Sequence, residues 1–336
     1  MQQSGGTVVG NGKNKELPTS KIIGIPRGLS YYLDNFSWES FFHILGYEVE
    51  YSEDSSVETF ETGNQFVGSD QCFPVKVYYG HVLSLLKKNN YIFIPQYTSM
   101  EEGTYCCPKV IALPQLIKNT IPQEINLLTV EIDLGREKFT RKNIRRLAMS
   151  LSQNPLRIFA AVNYFDKNRK RLPEEISSAE KFMGECQSNG KKGSIGVIGH
   201  PYALQDPFLN MGILNRLKEF GFDVVTSARY QRSYEQTDCP VYFSRRKPHW
   251  DFGRNILYAA ESMLKDEKIQ GIIFITYFGC GIDAFIEEIF NDSICGQKPY
   301  LGLTLDEHSG EAGLMTRIEA FTDMMIRKGG ENRDAG

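Results

Sequence analysis

The chain has no Cys-x-x-Cys pair, no apolar run long enough to cross a bilayer and no surplus of basic charge. Each absence removes a class of function. Without Cys-x-x-Cys, zinc-ribbon and thioredoxin-like readings lose their main signature. The 7 cysteines in 336 residues are also too sparse, and odd in number, for a disulfide framework. In a reducing compartment they are free thiols, buried fillers or metal ligands. The longest apolar runs, such as Gly271–Phe278 and Ile158–Val162, fall far short of the ~20 residues of a spanning helix. With 38 Lys and Arg against 41 Asp and Glu, the net charge is -3, whereas phosphate binding calls for a basic surplus gathered on one face. Nucleic acid and membrane are therefore not expected as partners. Residues 1–20 are mostly Gly, Asn, Gln and Lys with no apolar core, so a disordered tail is expected there instead of a signal peptide, and the protein is expected in the cytoplasm.

What is present is an alternation of short β-rich runs with helical patterns. Lys21–Ile25 reads as a strand, and Trp38, Phe41, Phe42 and Leu45 recur at helical spacing before a stop at Gly46. Tyr47–Tyr51 reads as a strand, Val75–Lys88 as a helix, Tyr91–Ile94 as a strand, Val110–Lys118 as a helix, Asn126–Val130 as a strand, with a further helix from Arg141. The pattern restarts at Ser194–Ile198 and runs through helices at Pro207–Phe220, Phe252–Leu264, Ile282–Phe290 and Ala312–Arg327 and strands at Phe222–Val225, Gly271–Thr276 and Pro299–Thr304. Such spacing predicts two doubly wound parallel sheets, an α/β fold. The expected plan is a tail at 1–20, an N-terminal α/β domain at 21–148, a polar and partly helical connector at 149–192, a C-terminal α/β domain at 193–327 and a second disordered tail at 328–336.

In open parallel sheets ligands bind beyond the carboxyl ends of the strands, where helices begin. Several loops of unusual composition fall at such positions. They include Pro26-Arg27-Gly28, Asp70-Gln71-Cys72-Phe73-Pro74, Tyr105-Cys106-Cys107-Pro108, Gly199-His200-Pro201-Tyr202, Phe278-Gly279-Cys280-Gly281 and Asp306-Glu307-His308-Ser309. A thiol at a helix N-terminus is expected to have a lowered pKa and to serve readily as the thiolate that iron–sulfur clusters need. Cys72, Cys107 and Cys280 are the candidate ligands, three thiolates being suited to a 4Fe-4S cluster with one open iron. Composition leaves Cys106 and Cys107 undecided, since neighbouring side chains in extended backbone point oppositely. Cys186, Cys239 and Cys295 read as ordinary thiols. Gly279 and Gly281 leave room beside the sulfur. Arg27 beside Gly28 is an anion-binding candidate. His308 and Glu307 are candidates for metal ligation or acid/base work, with Ser309 expected to cap the following helix. His200, His81 and His249 are expected to be satisfied structural histidines, Asp283 to favour its helix dipole, and Trp38 and Trp250 to pack.

From Lys21 to Asp323 the chain resembles the family of activators and components of the 2-hydroxyacyl-CoA dehydratases, whose other branches include benzoyl-CoA reductase subunits and double-cubane cluster proteins. The resemblance is carried by Ile23-Gly24-Ile25-Pro26-Arg27-Gly28, by Asp70, Cys72, Pro74 and Lys76 with Gly80-His81, and by Cys107-Pro108-Lys109. It continues through Gly199-His200-Pro201-Tyr202, Trp250 with Gly253, Phe278-Gly279-Cys280-Gly281 and the stretch Asp306 to Gly313. It implies two Rossmann-like or flavodoxin-like halves and an oxygen-sensitive iron–sulfur cluster, a single cubane or part of a larger one, on Cys72, Cys107 and Cys280. The Cys-Pro-Lys match selects Cys107 over Cys106, with Arg27, Gly28, His200, Gly279 and Gly281 lining the cofactor. It also implies an anaerobic bacterium, an ATP-hydrolysing activator protein as electron donor, an acyl-CoA substrate and a homo- or heterodimer. The chain has no Gly-rich nucleotide loop of the activator ATPase and looks most like the uncharacterised activator-related branch. Two other classes stay open, a non-catalytic electron-transfer subunit and a cluster-free CoA- or nucleotide-binding module.

Overall fold

The computed structural model describes residues 21–32, 37–86, 91–123, 125–168, 192–230, 248–294 and 297–334. Cys186, Cys239, Cys295 and the expected N-terminal tail lie outside them. The chain divides into two compact units, the first running to Pro173 and including His249–Asp251, the second comprising the remainder.

In the first unit, strands β1 (Ile22–Ile25), β2 (Glu48–Tyr51), β3 (Tyr91–Phe93) and β5 (Leu127–Leu128) form a sheet of order β2-β1-β3-β5, every pair parallel. A separate parallel pair joins β4 (Gln96–Ser99) to β6 (Glu131–Asp133). Helix α1 (Trp38–Leu45) starts where the Ser37 hydroxyl accepts the Ser40 amide at 3.1 Å, and it buries Trp38, Phe41, Phe42 and Leu45. Those rings meet Phe93 on β3, with centroids 4.5 Å from Trp38 and 4.9 Å from Phe42. Trp38 therefore packs, as expected.

Helices α2 (Val57–Asn64) and α3 (Phe73–Leu86) cross at two glycines. A Cβ on Gly80 would stand 1.8 Å from the Thr59 carbonyl oxygen, and one on Gly63 would stand 2.1 Å from that of Lys76. The first unit also holds α4 (Pro108–Ile111), α5 (Leu113–Thr120), α6 (Glu137–Leu151) and α7 (Pro155–Asn168). Helix α7 lies in the stretch read from sequence as connector, yet it buries Ala161, Val162 and Phe165, the last 6.3 Å from Trp38. Its apolar residues are divided between faces, with Leu156 and Phe159 exposed, so no single apolar stripe marks the helix in the sequence. Residues 169–191 of that stretch lie outside the described residues.

The second unit repeats the winding. Strands β7 (Ser194–Ile198), β8 (Asp223–Thr226), β9 (Ile269–Tyr277) and β10 (Tyr300–Leu305) form a parallel sheet of order β10-β9-β7-β8. In both units the order is second, first, third, fourth strand, a flavodoxin-like arrangement. The expected doubly wound α/β fold is what the chain adopts. Its helices are α8 (Pro201–Gln205), α9 (Ile213–Glu219), α10 (Asp251–Lys265), α11 (Gly281–Ile294) and α12 (Glu311–Asp334). The single helix expected over Pro207–Phe220 is confined to α9, because Asp206 and Asn210 bond the amides of Phe208 and Gly212 and hold a turn. Helix α12 continues past Arg327 to Asp334, into the stretch expected as a tail. No described helix is long and apolar enough to cross a membrane.

The Gly63/Gly80 crossing sets a stability prediction. Gly80→Ala forces the α2 backbone away and is expected to lower unfolding free energy by about 1–3 kcal/mol. Gly313→Ala, in α12 with nothing within 4 Å of the new Cβ, should instead raise it by up to about 1 kcal/mol. Urea denaturation of the two variants checks both signs.

Candidate functional site

The cysteines singled out from sequence share one local geometry. The Cys72 carbonyl accepts the amides of Val75 and Lys76, that of Cys107 accepts Ile111, and that of Cys280 accepts Ala284. Each residue is thus the N-cap of its helix, α3, α4 or α11. The chain reaches Cys280 through a turn in which its amide donates to the Tyr277 carbonyl at 3.0 Å and Gly279 takes φ +76°, a left-handed conformation that glycine adopts without penalty. All three thiols are free of disulfides. Lys109, in the single turn of α4, donates to the Asp70 carbonyl at 2.8 Å and so fastens the Cys107 helix to the loop leading into Cys72.

Cys106 is placed differently. It is fully buried and its Sγ lies 3.6 Å from Oδ2 of Asp251, whose carboxylate also accepts the Met100 amide at 3.1 Å and the Thr104 hydroxyl. Burial first, and then the neighbouring Asp251 charge, push the Cys106 thiol well above its ordinary pKa. A short parallel bridge between Tyr105 and Trp250 holds the same loop, the Tyr105 amide donating to the His249 carbonyl and the Asp251 amide to that of Tyr105. Trp250 therefore serves in chain pairing. Cys107, next along, is half-buried and makes no side-chain cap bond.

In the second unit, β7 and β9 lie side by side, and successive connections leave from them in opposite directions. That is the crevice where open sheets bind ligands. His200 follows β7 and Cys280 follows β9. His200 is 2% exposed, and its Nε2 lies 2.6 Å from Oδ1 of Asp283, in the first turn of α11. A ring nitrogen of His200, Sγ of Cys280 and a carboxylate oxygen of Asp283 all lie within 4.8 Å of one another. Burial alone would lower the His200 pKa, but the Asp283 carboxylate, with a smaller push from Cys280, overcomes it and raises it to about 10. The Cys280 thiol is raised as well, because burial outweighs its bond to His200. This corrects the expectation that a helix N-terminus lowers every such thiol: here burial raises it. A thiolate at Cys280 then needs a cation to hold it, which is what a bound metal provides.

The other candidates divide. Arg27 pairs with exposed Asp54 at 2.7 Å, covers the Tyr31 ring, and donates its backbone amide to Ser52. Gly28 is needed because a Cβ there would stand 2.9 Å from the Tyr78 ring. His81 is satisfied, its ring nitrogens each 3.0 Å from a hydroxyl, those of Ser52 and Ser55. Burial, helped by Arg27 and opposed by Asp54, lowers its pKa to about 4. His308 is exposed, and its amide bonds Asp306. Ser309 bonds Asp306 in a turn, while the Gly310 carbonyl accepts the Leu314 amide, so Ser309 does not cap α12. Gly281 is open around its Cα. Sequence reasoning missed the partnerships of Asp283 and Asp251. The first had a signal, its place one helical turn after Cys280, and the second had none.

Three cysteines offered at helix starts are the donor chemistry an iron–sulfur cluster takes, so the residues fit such a group. The Asp251 clamp gives a pH prediction. Burial, against the Thr104 and Met100 bonds, raises its carboxyl from the usual 3.8 to about 6. The folded chain then holds a proton that the unfolded chain has released, so this group's contribution to stability falls as pH rises from about 4 to about 6, by up to about 3 kcal/mol. Asp251→Asn, neutral throughout, should lose that fall. Urea denaturation at pH 4 and pH 7 tests this, and parallel shifts in wild type and variant would refute it.

No curated protein matches the chain. A family model described as CoA enzyme activase uncharacterised domain matches residues 22–229, a stretch that contains Cys72, Cys107 and His200 and ends before Cys280 and Asp283. With more than half of its length matched, the chain belongs to the CoA enzyme activase uncharacterised domain family.

Proposed function

We propose that this family member is an iron–sulfur protein of a CoA-enzyme activation system, holding a 4Fe-4S cluster, or part of a larger one, through Cys72, Cys107 and Cys280. The observation that carries the reading is the shared N-cap position of three thiols outside any disulfide, set against the withdrawal of adjacent Cys106 into a buried contact with Asp251. When bound, the cluster supplies one-electron chemistry at low potential. The chain's part is to hold and insulate. Helices α3 and α11 turn their positive ends toward anionic sulfur, and half-burial of Cys107 and Cys280 limits water around it. An ATP-hydrolysing activator would deliver the electron, and an acyl-CoA or a partner subunit would receive it, in dehydration or reductive chemistry.

Chain purified without oxygen should contain iron and acid-labile sulfide. Ala at position 72, 107 or 280 is expected to reduce iron by more than half, whereas Cys106→Ala should leave it near the wild-type level. Absence of iron, sulfide and visible thiolate-to-iron absorbance in the wild type would refute the reading and leave a CoA- or nucleotide-binding module. Iron lost with Cys106→Ala but kept with Cys107→Ala would exchange the two assignments.

A further inference from the structure

Helices α6 and α7 form an antiparallel hairpin: only Ser152 to Asn154 link them, and Arg141, in the second turn of α6, pairs at 2.8 Å with Asp166 near the end of α7. The hairpin buries Ile144, Leu147 and Leu151 of α6 and Ala161, Val162 and Phe165 of α7. Its outward side carries two chemistries. On α6, Lys138, Arg141, Lys142, Arg145 and Arg146 are all exposed and recur at the three- and four-residue steps of one helix face, with Glu137 the one acid of that helix. Arg141 alone of the five is ion-paired among the described residues. Like charges at these steps repel and weaken a helix, so the row does nothing to make α6 form. Met149 continues the row Arg141, Arg145 by one more four-residue step and is 55% exposed, while Leu156 and Phe159 on α7 are 79% and 70% exposed. Phe159 stands two turns from Asp166 on the same side of α7, and the register that sets Asp166 opposite Arg141 brings Phe159 about level with Met149. An unpaired cationic row thus runs into an uncovered apolar end.

We propose that the outward side of this hairpin is a docking surface for an acidic amphipathic helix of a partner protein, laid along the α6–α7 seam with its carboxylates on the α6 cations and its apolar side on Met149, Leu156 and Phe159. Such a helix answers both chemistries at once. Its acidic row neutralises charges that repel one another in the free chain, and its apolar stripe covers side chains that water otherwise surrounds. A second copy of this chain, related by a two-fold axis, would set cations against cations. A nucleic-acid backbone would meet the cations and leave the apolar residues uncovered. Helices that lie in a bilayer surface insert their own apolar face, whereas that of α6 is buried inside the unit. None of the docking residues is a candidate cluster ligand, so the inference goes beyond the function proposed above and does not depend on it.

The test uses the full chain purified without oxygen and a fluorescein-labelled peptide of about 18 residues, long enough to hold a helix, with Leu along one face and Glu along the other. A second peptide has the same composition in scrambled order. Fluorescence anisotropy follows binding to wild type, to Arg145→Glu/Arg146→Glu and to Leu156→Ser/Phe159→Ser, with folding checked by circular dichroism. Wild type should bind the patterned peptide at least about 10-fold more tightly than the scrambled one, and each double variant should weaken that binding by about 10-fold or more. Raising salt from about 0.05 M to about 0.5 M should weaken binding to wild type and change the charge-reversed variant little. Iron content should be the same in all three chains; its absence from wild type would count against the function proposed above and leave the docking result standing. Equal affinity for the two peptides, or for wild type and either double variant, overturns the proposal. Residue-dependent binding to phosphatidylglycerol vesicles or to a duplex oligonucleotide without binding of the patterned peptide overturns it in favour of those surfaces. Self-association in analytical ultracentrifugation that either double variant abolishes assigns the surface to a second copy, and tighter binding of a peptide of the chain's own acidic stretch 174–185 assigns it to the chain itself; both overturn the partner. If charge reversal prevents folding, Arg145→Gln/Arg146→Gln carries the comparison, and relief of like-charge repulsion should leave that variant at least as resistant to urea as wild type.

Discussion

A strand that pairs in parallel must return over a face of its sheet before the next strand can form, and this constraint organises both units. The return segments are helices, so helix starts collect at one edge of each sheet, beside the strand ends. With the order second, first, third, fourth, connections leave the two central strands in opposite directions and open a crevice there. In the second unit that crevice receives His200 from β7 and Cys280 from β9, residues 80 apart in sequence yet within 4.8 Å through their donor atoms. In the first unit the segment after β1 brings Arg27, and the crossover from β2 to β3 ends in α3, which begins at Cys72.

Carboxylates decide how the thiols differ. Asp251 and Asp283 are both nearly inaccessible, and each stands beside a cysteine. Asp251 faces Cys106 itself, adding negative charge to a fully buried sulfur and so keeping it protonated. Asp283 bonds His200 instead, and that histidine lowers the Cys280 thiol, partly offsetting the carboxylate's repulsion. The same kind of side chain thus acts on one thiol alone and on another in the company of an imidazole. Helix dipoles alone do not separate these cases: near a helix end each contributes only ~0.3–1 kcal/mol, and the Cys280 thiol is raised by burial at such an end.

Much of the fold is legible because its signals are local. The 38, 41, 42, 45 spacing of α1, the apolar run of β9 and the alternation of the two patterns require no distant partner to be recognised. Helix α7 is legible only as part of a partly helical connector, because exposed Leu156 and Phe159 blur the face that buries Ala161, Val162 and Phe165, and α2 escapes because Gly63 is the one residue it buries. The N-cap cysteines are legible for the same local reason, each preceding a helical pattern and two of them followed closely by Pro.

What the sequence could not disclose are contacts whose members are far apart along the chain. Asp251 closes on Thr104 and Cys106 across a separation of 147 and 145 residues, and His200 finds Asp283 across 83. Such pairs obey no spacing rule, and their effects oppose those of local structure. A rule based on helix position treats Cys106 and Cys107 as near equals and every capping thiol as acidic. Burial and a distant carboxylate keep Cys106 protonated, and burial raises the Cys280 thiol despite its place at a helix start. The chemistry of this chain is therefore set less by which residues begin its helices than by which buried acid each of them meets.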